Sequence, residues 1–382
     1  MDFELNKEQK MLQDAVREFL KKEYSREVIQ EILETEDGYS HKLWEKKAEL
    51  GWLGIVIPEE NGGEGGSFLD LIILLEEMGY NICPSPFFSN IVLAGLTILN
   101  HASSRQKKEL LPLIASGEKI FTLAFLEPDL KIESSSMNTT AKLDKDSYLL
   151  QGSKLFVPYA HVSDFILCVV KTREDKNPDE SISLFLIDTN SSDFDSELLN
   201  TLGLEKYFAL QFCNTAIPRE NIIGPIHEAW PSIKDVLAKA SLCLSARMIG
   251  GARAVMDMSL SYAKERKQFN RPIGSFQAIQ QYLADMWVNI YATHYLVYRA
   301  AWKLEQNLEA EKEIAAAKSK AGEVYRKSTA LGHQILGAIG FTKESEMYLY
   351  HRSSMSDYLN FGDSDFHKEF IAKKLALDNT KS

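Results

Sequence analysis

The stretch Gly62-Gly63-Glu64-Gly65-Gly66 is the part of the chain closest in form to a phosphate cradle. Such a loop grips phosphate through converging backbone N–H groups and a following Gly-Lys-Ser/Thr step. No such step follows, and Glu59, Glu60 and Glu64 crowd the loop with negative charge. The stretch reads instead as a turn that ends at Ser67, the N-cap of the next helix. Cys83, Cys168, Cys213 and Cys243 lack Cys-x-x-Cys spacing. They read as buried thiols of a reducing compartment, neither disulfides nor zinc ligands. The eight histidines show no metal spacing, and His333 and His351 read as surface or packing residues. Carboxylates remain as acid–base candidates, among them Asp235, Asp363 and Asp365. An aspartate does general-base work only if the backbone brings it within hydrogen-bond reach of the proton.

The elements that must position these groups fall into three parts. Residues 1–120 read as helices, with Asn6 and Gln9 spaced as a capping box before Leu12, Val16 and Phe19. Residues 121–225 carry short runs rich in β-branched and aromatic residues, such as D-F-I-L-C-V-V and S-I-S-L-F-L-I-D, divided by polar turns. Residues 226–382 return to helical period. Leu244, Met248, Gly251, Val255, Met258 and Tyr262 form one stripe, and Phe276, Ile279, Leu283, Met286 and Ile290 form another. The run K-L-E-Q-N-L-E-A-E-K-E-I-A-A-A-K is expected as one helix with a solvated face. The pattern predicts a mainly α protein with a central β domain.

A net charge of −11 argues against nucleic acid as a partner, because a polyanion needs a basic face. The N-terminus is polar and acidic, unlike a secretory signal, and no apolar run reaches the ~18 residues of a membrane span. A cytoplasmic protein is expected.

The segment Y-A-K-E-R-K-Q-F-N-R-P-I-G-S-F-Q-A-I-Q-Q-Y-L-A-D-M, residues 262–286, resembles the signature of acyl-CoA dehydrogenases. P-E-E-N-G-G-E-G-G, L-E-P-D and Q-I-L-G-A-I-G-F extend the resemblance over the whole chain. It implies an N-terminal helical domain, a β-barrel-like middle domain and a C-terminal helical bundle, assembled as dimers or dimers of dimers with FAD at the interface. It also implies a reaction, in which a glutamate takes the α-proton of an acyl-CoA thioester while hydride passes from the β-carbon to the flavin.

In that family each flavin touches two chains, and the two sets of positions differ here. Where the family holds the flavin ring and the substrate, this chain has Leu126 before Glu127-Pro128, then Phe156, Pro158, Gly362, Asp363 and Asp365. Pro158 has no backbone N–H to offer a ring heteroatom. The glutamate itself is replaced by Phe361, and the alternative seat for the base by Ala240, followed by Ser241. Where the family grips the neighbouring chain's cofactor, the matching residues are Arg266, Gln268, Phe269, Gln334 and Gly337, although a second glycine is Ala338. Arginine suits the pyrophosphate because its planar fork gives two parallel charge-assisted hydrogen bonds.

The resemblance thus points to the subunit without the base in a heteromeric, α2β2-type acyl-CoA dehydrogenase. FAD would be shared with a homologous catalytic subunit that binds most of the acyl-CoA. Electron-transferring flavoprotein would accept the electrons. Three rivals stand beside this reading: an active homo-oligomer using Asp363, Asp365 or Asp235 as base, a flavin monooxygenase on the same fold, and a scaffold that binds neither flavin nor CoA.

Overall fold

The computed structural model describes residues 5–379. The chain begins with helices α1 Lys7–Glu23, α2 Arg26–Glu34, α3 His41–Glu49, α4 Phe68–Tyr80, α5 Leu96–His101 and α6 Ser104–Ala115. Asn6 and Gln9 do form a capping box, each side chain accepting the other's backbone N–H at 2.8 and 3.1 Å. Ser67 and Asp70 form the same device at the start of α4, so the glycine run before it is a turn. Phe88–Gly95 winds as a π-helix into α5, a widened form that concentrates at functional sites.

Strands β1 Phe121–Ala124, β2 Thr140–Asp144, β3 Ser147–Pro158, β4 Phe165–Lys171, β5 Ile182–Asp188, β6 Asp195–Leu199, β7 Tyr207–Pro218 and β8 Ile222–Ile223 form one sheet. Its order is β6-β7-β3-β2-β4-β5-β8, with β1 parallel to β4. The sheet has its own core, including Leu150, Ile166, Phe185 and Phe212, separate from the larger helical core. All four thiols are free. Cys168 and Cys243 are buried, whereas Cys83 is half-buried and Cys213 exposed, contrary to expectation. Cys213 follows buried Phe212 on β7 and faces outward because side chains alternate along a strand.

The remaining helices are α7 Ala229–Glu265, α8 Gln277–Glu305, α9 Glu311–Leu336, α10 Met347–Leu359 and α11 Ser364–Asn379. A hairpin of β9 Lys267–Gln268 and β10 Arg271–Pro272 lies between α7 and α8. The charged, alanine-rich run is not one helix: α8 stops at Glu305, Asn307 adopts φ 52°, and α9 begins at Glu311. Asparagine visits the left-handed region at low cost. The break turns Ile314, Ala315 and Ala317 into the core. Among the described residues no helix is long and apolar enough to cross a membrane.

The α4–α7 crossing sets the position of the site. A Cβ on Gly79 would lie 2.0 Å from the Arg247 carbonyl oxygen, and one on Gly250 would lie 1.8 Å from that of Glu76. Only glycine permits this approach, and it carries Arg247 to a cleft edge. Next to the crossing, buried Glu77 meets Arg17 at 2.9 Å, and buried Glu76 meets Arg253 and His294, tying α1, α4, α7 and α8 together. Burial alone would raise the Glu76 carboxyl, but His294 and Arg253 outweigh it and hold it at about 2.

Candidate functional site

A cleft of about 800 Å³ lies between the β domain and the helices α7 and α10. The turn from α10 to α11 enters it with Phe361, at φ 57°, followed by Gly362 at φ 90°. A left-handed backbone costs a side-chain-bearing residue roughly 1–2 kcal/mol, so the turn needs restraint. Lys318 supplies it, its Nζ donating to the carbonyls of Gly362 (2.7 Å) and Tyr358 (3.1 Å). His367 Nε2 donates to the Phe361 carbonyl at 3.0 Å. Burial lowers Lys318 to about 8, and burial with Lys318 nearby lowers His367 to about 4. Leu130, Phe156 and Tyr159, on the same cleft, also have positive φ. Such a concentration of strained non-glycine residues marks functional surfaces.

The Phe361 ring packs between Phe125 and Phe88, with centroids at 6.2 and 5.9 Å. It therefore fills the place expected for a base with an aromatic stack. Phe361 also borders a second cavity of about 950 Å³, lined by Trp230, Leu237, Ser241, Ile314 and Phe370. The other seat, Ala240, is fully buried on α7. Beside it Ser241 is buried with an unpartnered hydroxyl.

The three aspartates stand in different surroundings. Asp363 accepts the Phe366 N–H at 2.9 Å, as a cap for α11. Asp365 is exposed and faces Lys368. Asp235 is paired with Lys239 at 2.7 Å and accepts from Asn100 at 2.6 Å.

Charged residues not singled out from the sequence line the cleft as well. Arg247 binds both Glu205 and Asp357, the latter at 2.7 Å, and lies 5.1 Å from the Phe88 ring. Tyr207 donates to Glu205 at 2.7 Å and accepts from Asn360 at 3.0 Å. Burial raises the Asp357 carboxyl despite the pull of Arg247. Arg247, Glu205 and Asp357 are far apart in sequence and share no motif; α7, the segment leading into β7 and α10 bring them together. Pro158 also lines the cleft, and its carbonyl accepts from Thr122 at 2.7 Å.

The residues expected to serve a neighbour's cofactor lie outside this cleft. Arg266 caps α7 through its backbone N–H to Tyr262, while its side chain is exposed and makes no ion pair with Glu265. Gln268 and Phe269 follow on the hairpin. Phe269 and Asn270 have φ 54° and 66°, the two-residue turn that matches strand twist. Phe269 is 86% exposed at its tip. Its ring meets that of Phe276 edge to face, with centroids 6.1 Å apart.

Gln334 and Gly337 lie on a separate element, the end of α9, and are also exposed. Gly337 has φ 65° and ψ −143°, a region nearly confined to glycine. A Cβ there would meet nothing within 4 Å. Close helix packing therefore does not explain this glycine, which leaves open surface for an approaching group. The five residues thus lie on two exposed elements outside the cleft. The cleft itself offers a proline, an aromatic stack and an ion cluster in which Arg247 Nε has no hydrogen-bond partner.

The chain matches the acyl-CoA dehydrogenase N-terminal domain over residues 6–118, the middle domain over 122–215 and the C-terminal domain over 229–376. It is 32% identical to a glutaryl-CoA dehydrogenase of Desulfococcus multivorans, the match covering 97% of each chain. The structure of a glutaryl-coenzyme A dehydrogenase glutaryl-CoA complex superposes with a TM-score of 0.90 at 30% identity, covering 97% of this chain and 96% of that one. A structure described as the electron transferring flavoprotein of Acidaminococcus fermentans superposes with a TM-score of 0.91 at 28% identity, covering 98% and 99%. With the three-part fold and these matches along nearly its whole length, the chain belongs to the acyl-CoA dehydrogenase family of FAD-dependent enzymes.

Proposed function

We propose that this chain is the non-catalytic, FAD half-site subunit of a heteromeric acyl-CoA dehydrogenase. The observation that carries this reading is the Phe361 ring packed between Phe88 and Phe125, where a proton-abstracting carboxylate is expected. A hydrocarbon ring removes no proton, Asp363 is committed to a helix cap and Asp235 to Lys239. The exposed Arg266, Gln268 and Phe269 hairpin supplies the complementary half. Arg266 would hold the pyrophosphate of a flavin whose ring lies on a homologous catalytic chain, with Gln268, Phe269, Gln334 and Gly337 beside it.

When bound, FAD supplies the hydride acceptor. The catalytic chain would supply the base and most of the acyl-CoA contacts, and an electron-transferring flavoprotein would take the electrons. Trp287, Val288 and Tyr291 form an exposed apolar strip along α8. Such a surface suits a permanent contact with another chain.

Purification tests the assembly directly. Expressed alone, the chain should be flavin-poor and inactive toward acyl-CoA thioesters. Co-expressed with its partner, it should give a yellow complex with about half the flavin expected from one per chain. A full flavin complement with turnover in the single chain would overturn the proposal.

A further inference from the structure

The second cavity bordered by Phe361, about 950 Å³, is of a size that takes a small molecule. Its inner wall comes from the buried residues Trp230 and Leu237 of α7 and Ile314 of α9. One polar group stands among them. Ser241, 2% exposed, lines the cavity, and its hydroxyl has no hydrogen-bond partner. On the same helix Ser245 and Ser259 donate to the carbonyls four residues back, each at 2.7 Å. That is how a buried helical serine satisfies itself within its own helix. Ser241 lacks this bond, so its hydroxyl is left to whatever fills the cavity.

The charged lining sets the kind of molecule. It carries five carboxylates, Glu133, Asp179, Asp235, Glu309 and Glu311, against two lysines, Lys234 and Lys374. Lys374 is engaged by Glu311, and Asp235 by Lys239 beyond the lining. His367 adds no charge at neutral pH, since burial holds it at about 4. The balance is negative, so the phosphates of a CoA thioester, or a free carboxylate, would be repelled. We propose that this cavity binds an uncharged, mainly hydrocarbon molecule whose single oxygen group pairs with the Ser241 hydroxyl. An aliphatic alcohol, ketone or ester has this chemistry. Its chain is buried against Trp230, Leu237 and Ile314, and its oxygen meets the one unpaired hydroxyl of that wall. Phe361 lines both spaces, so the occupant touches the turn that also walls the cleft. The site rests on these residues and not on the subunit's part in flavin binding.

Three ligands of equal chain length that differ in the head group test this: decan-1-ol, decanoate and decanoyl-CoA. Isothermal calorimetry on the full chain reads their affinities. Decan-1-ol should bind saturably, decanoate about tenfold more weakly, and decanoyl-CoA more weakly still. Ser241→Ala should weaken the alcohol roughly 2- to 10-fold, the loss of one neutral hydrogen bond. Ala238→Phe, which fills the cavity from α7, should abolish saturable binding. The change in tryptophan emission on adding the alcohol should vanish in Trp230→Phe, which places the ligand in this cavity. No binding of the alcohol, an equal or higher affinity for decanoate or decanoyl-CoA, or an alcohol affinity unchanged in either cavity variant would each overturn the proposal. These readouts involve neither flavin content nor turnover, so their failure would leave the assembly proposal standing.

Discussion

Phe361 lies nearly parallel to Phe125, with 14° between ring planes and 6.2 Å between centroids. One ring comes from the α10–α11 turn and the other from just beyond β1, so the stack joins the helical bundle to the β domain across the cleft. Phe361 is in this respect a wall between two cavities, both of which it lines.

Restoring the carboxylate alone should therefore not restore chemistry. Phe361→Glu should give no measurable dehydrogenation, because Pro158 and Leu126 leave the ring edge unsupported and position without cofactor is not catalysis. Steady-state assays with a panel of acyl-CoA thioesters and an artificial acceptor measure this. Turnover by that variant would mean the chain's own flavin site is intact.

Arg266→Ala should weaken FAD binding to the assembled complex by roughly 10- to 150-fold, the loss of about 1.5–3 kcal/mol from a charge-assisted pair of hydrogen bonds. Arg266→Lys should recover only part, because a point charge does not reproduce the guanidinium fork. At saturating FAD the turnover should largely return. Equilibrium titration of the flavin-free complex reads the affinity, and an unchanged value would remove Arg266 from the site.

Lys154 Nζ donates to Glu127 Oε1 at 2.7 Å, with both side chains buried. Burial alone would raise the Glu127 carboxyl, but Lys154 and the N–H groups of Asn138 and Thr139 outweigh it and hold it low. Lys154→Met should destabilise the protein by about 3–5 kcal/mol, since it strands a buried carboxylate. Removing both charges with Lys154→Met and Glu127→Gln should cost less than the sum of the single changes. Urea unfolding of the three variants decides this, and simple additivity would count against the pair.

His367 gives a pH dependence of known sign. Its folded value, about 4, lies below the ordinary 6.5, so folding favours the neutral ring. The unfolded chain takes up the proton first as pH falls. The contribution is therefore complete above about pH 6.5 and is lost progressively down to about pH 4, roughly 3 kcal/mol in all. His367→Gln should remove this dependence, so the stability gap between wild type and variant should shrink between pH 7 and 4.5. Parallel pH profiles would show that His367 does not titrate in this way.

Much of the architecture was legible in the sequence because it rests on local rules. Capping at Asn6 and Ser67, the two helical stripes and the strand runs each depend on residues a few positions apart, where periodicity and hydrogen-bonding chemistry decide the outcome. The replacement of the expected base by Phe361, and the presence of Arg266, Gln268 and Phe269, were equally visible as residue types at motif positions. The break at Asn307 was not visible, since a charged, alanine-rich run favours helix on both sides of it and only packing of α9 against α7 requires the turn. Tertiary structure alone decided that Asp363 is a helix cap, that Phe269 stands exposed at a hairpin tip and that Gly337 faces open space. It also brought together Arg247 with Glu205 and Asp357. These groups meet between elements distant in the chain, where burial turns an ordinary charge into one with a specific partner.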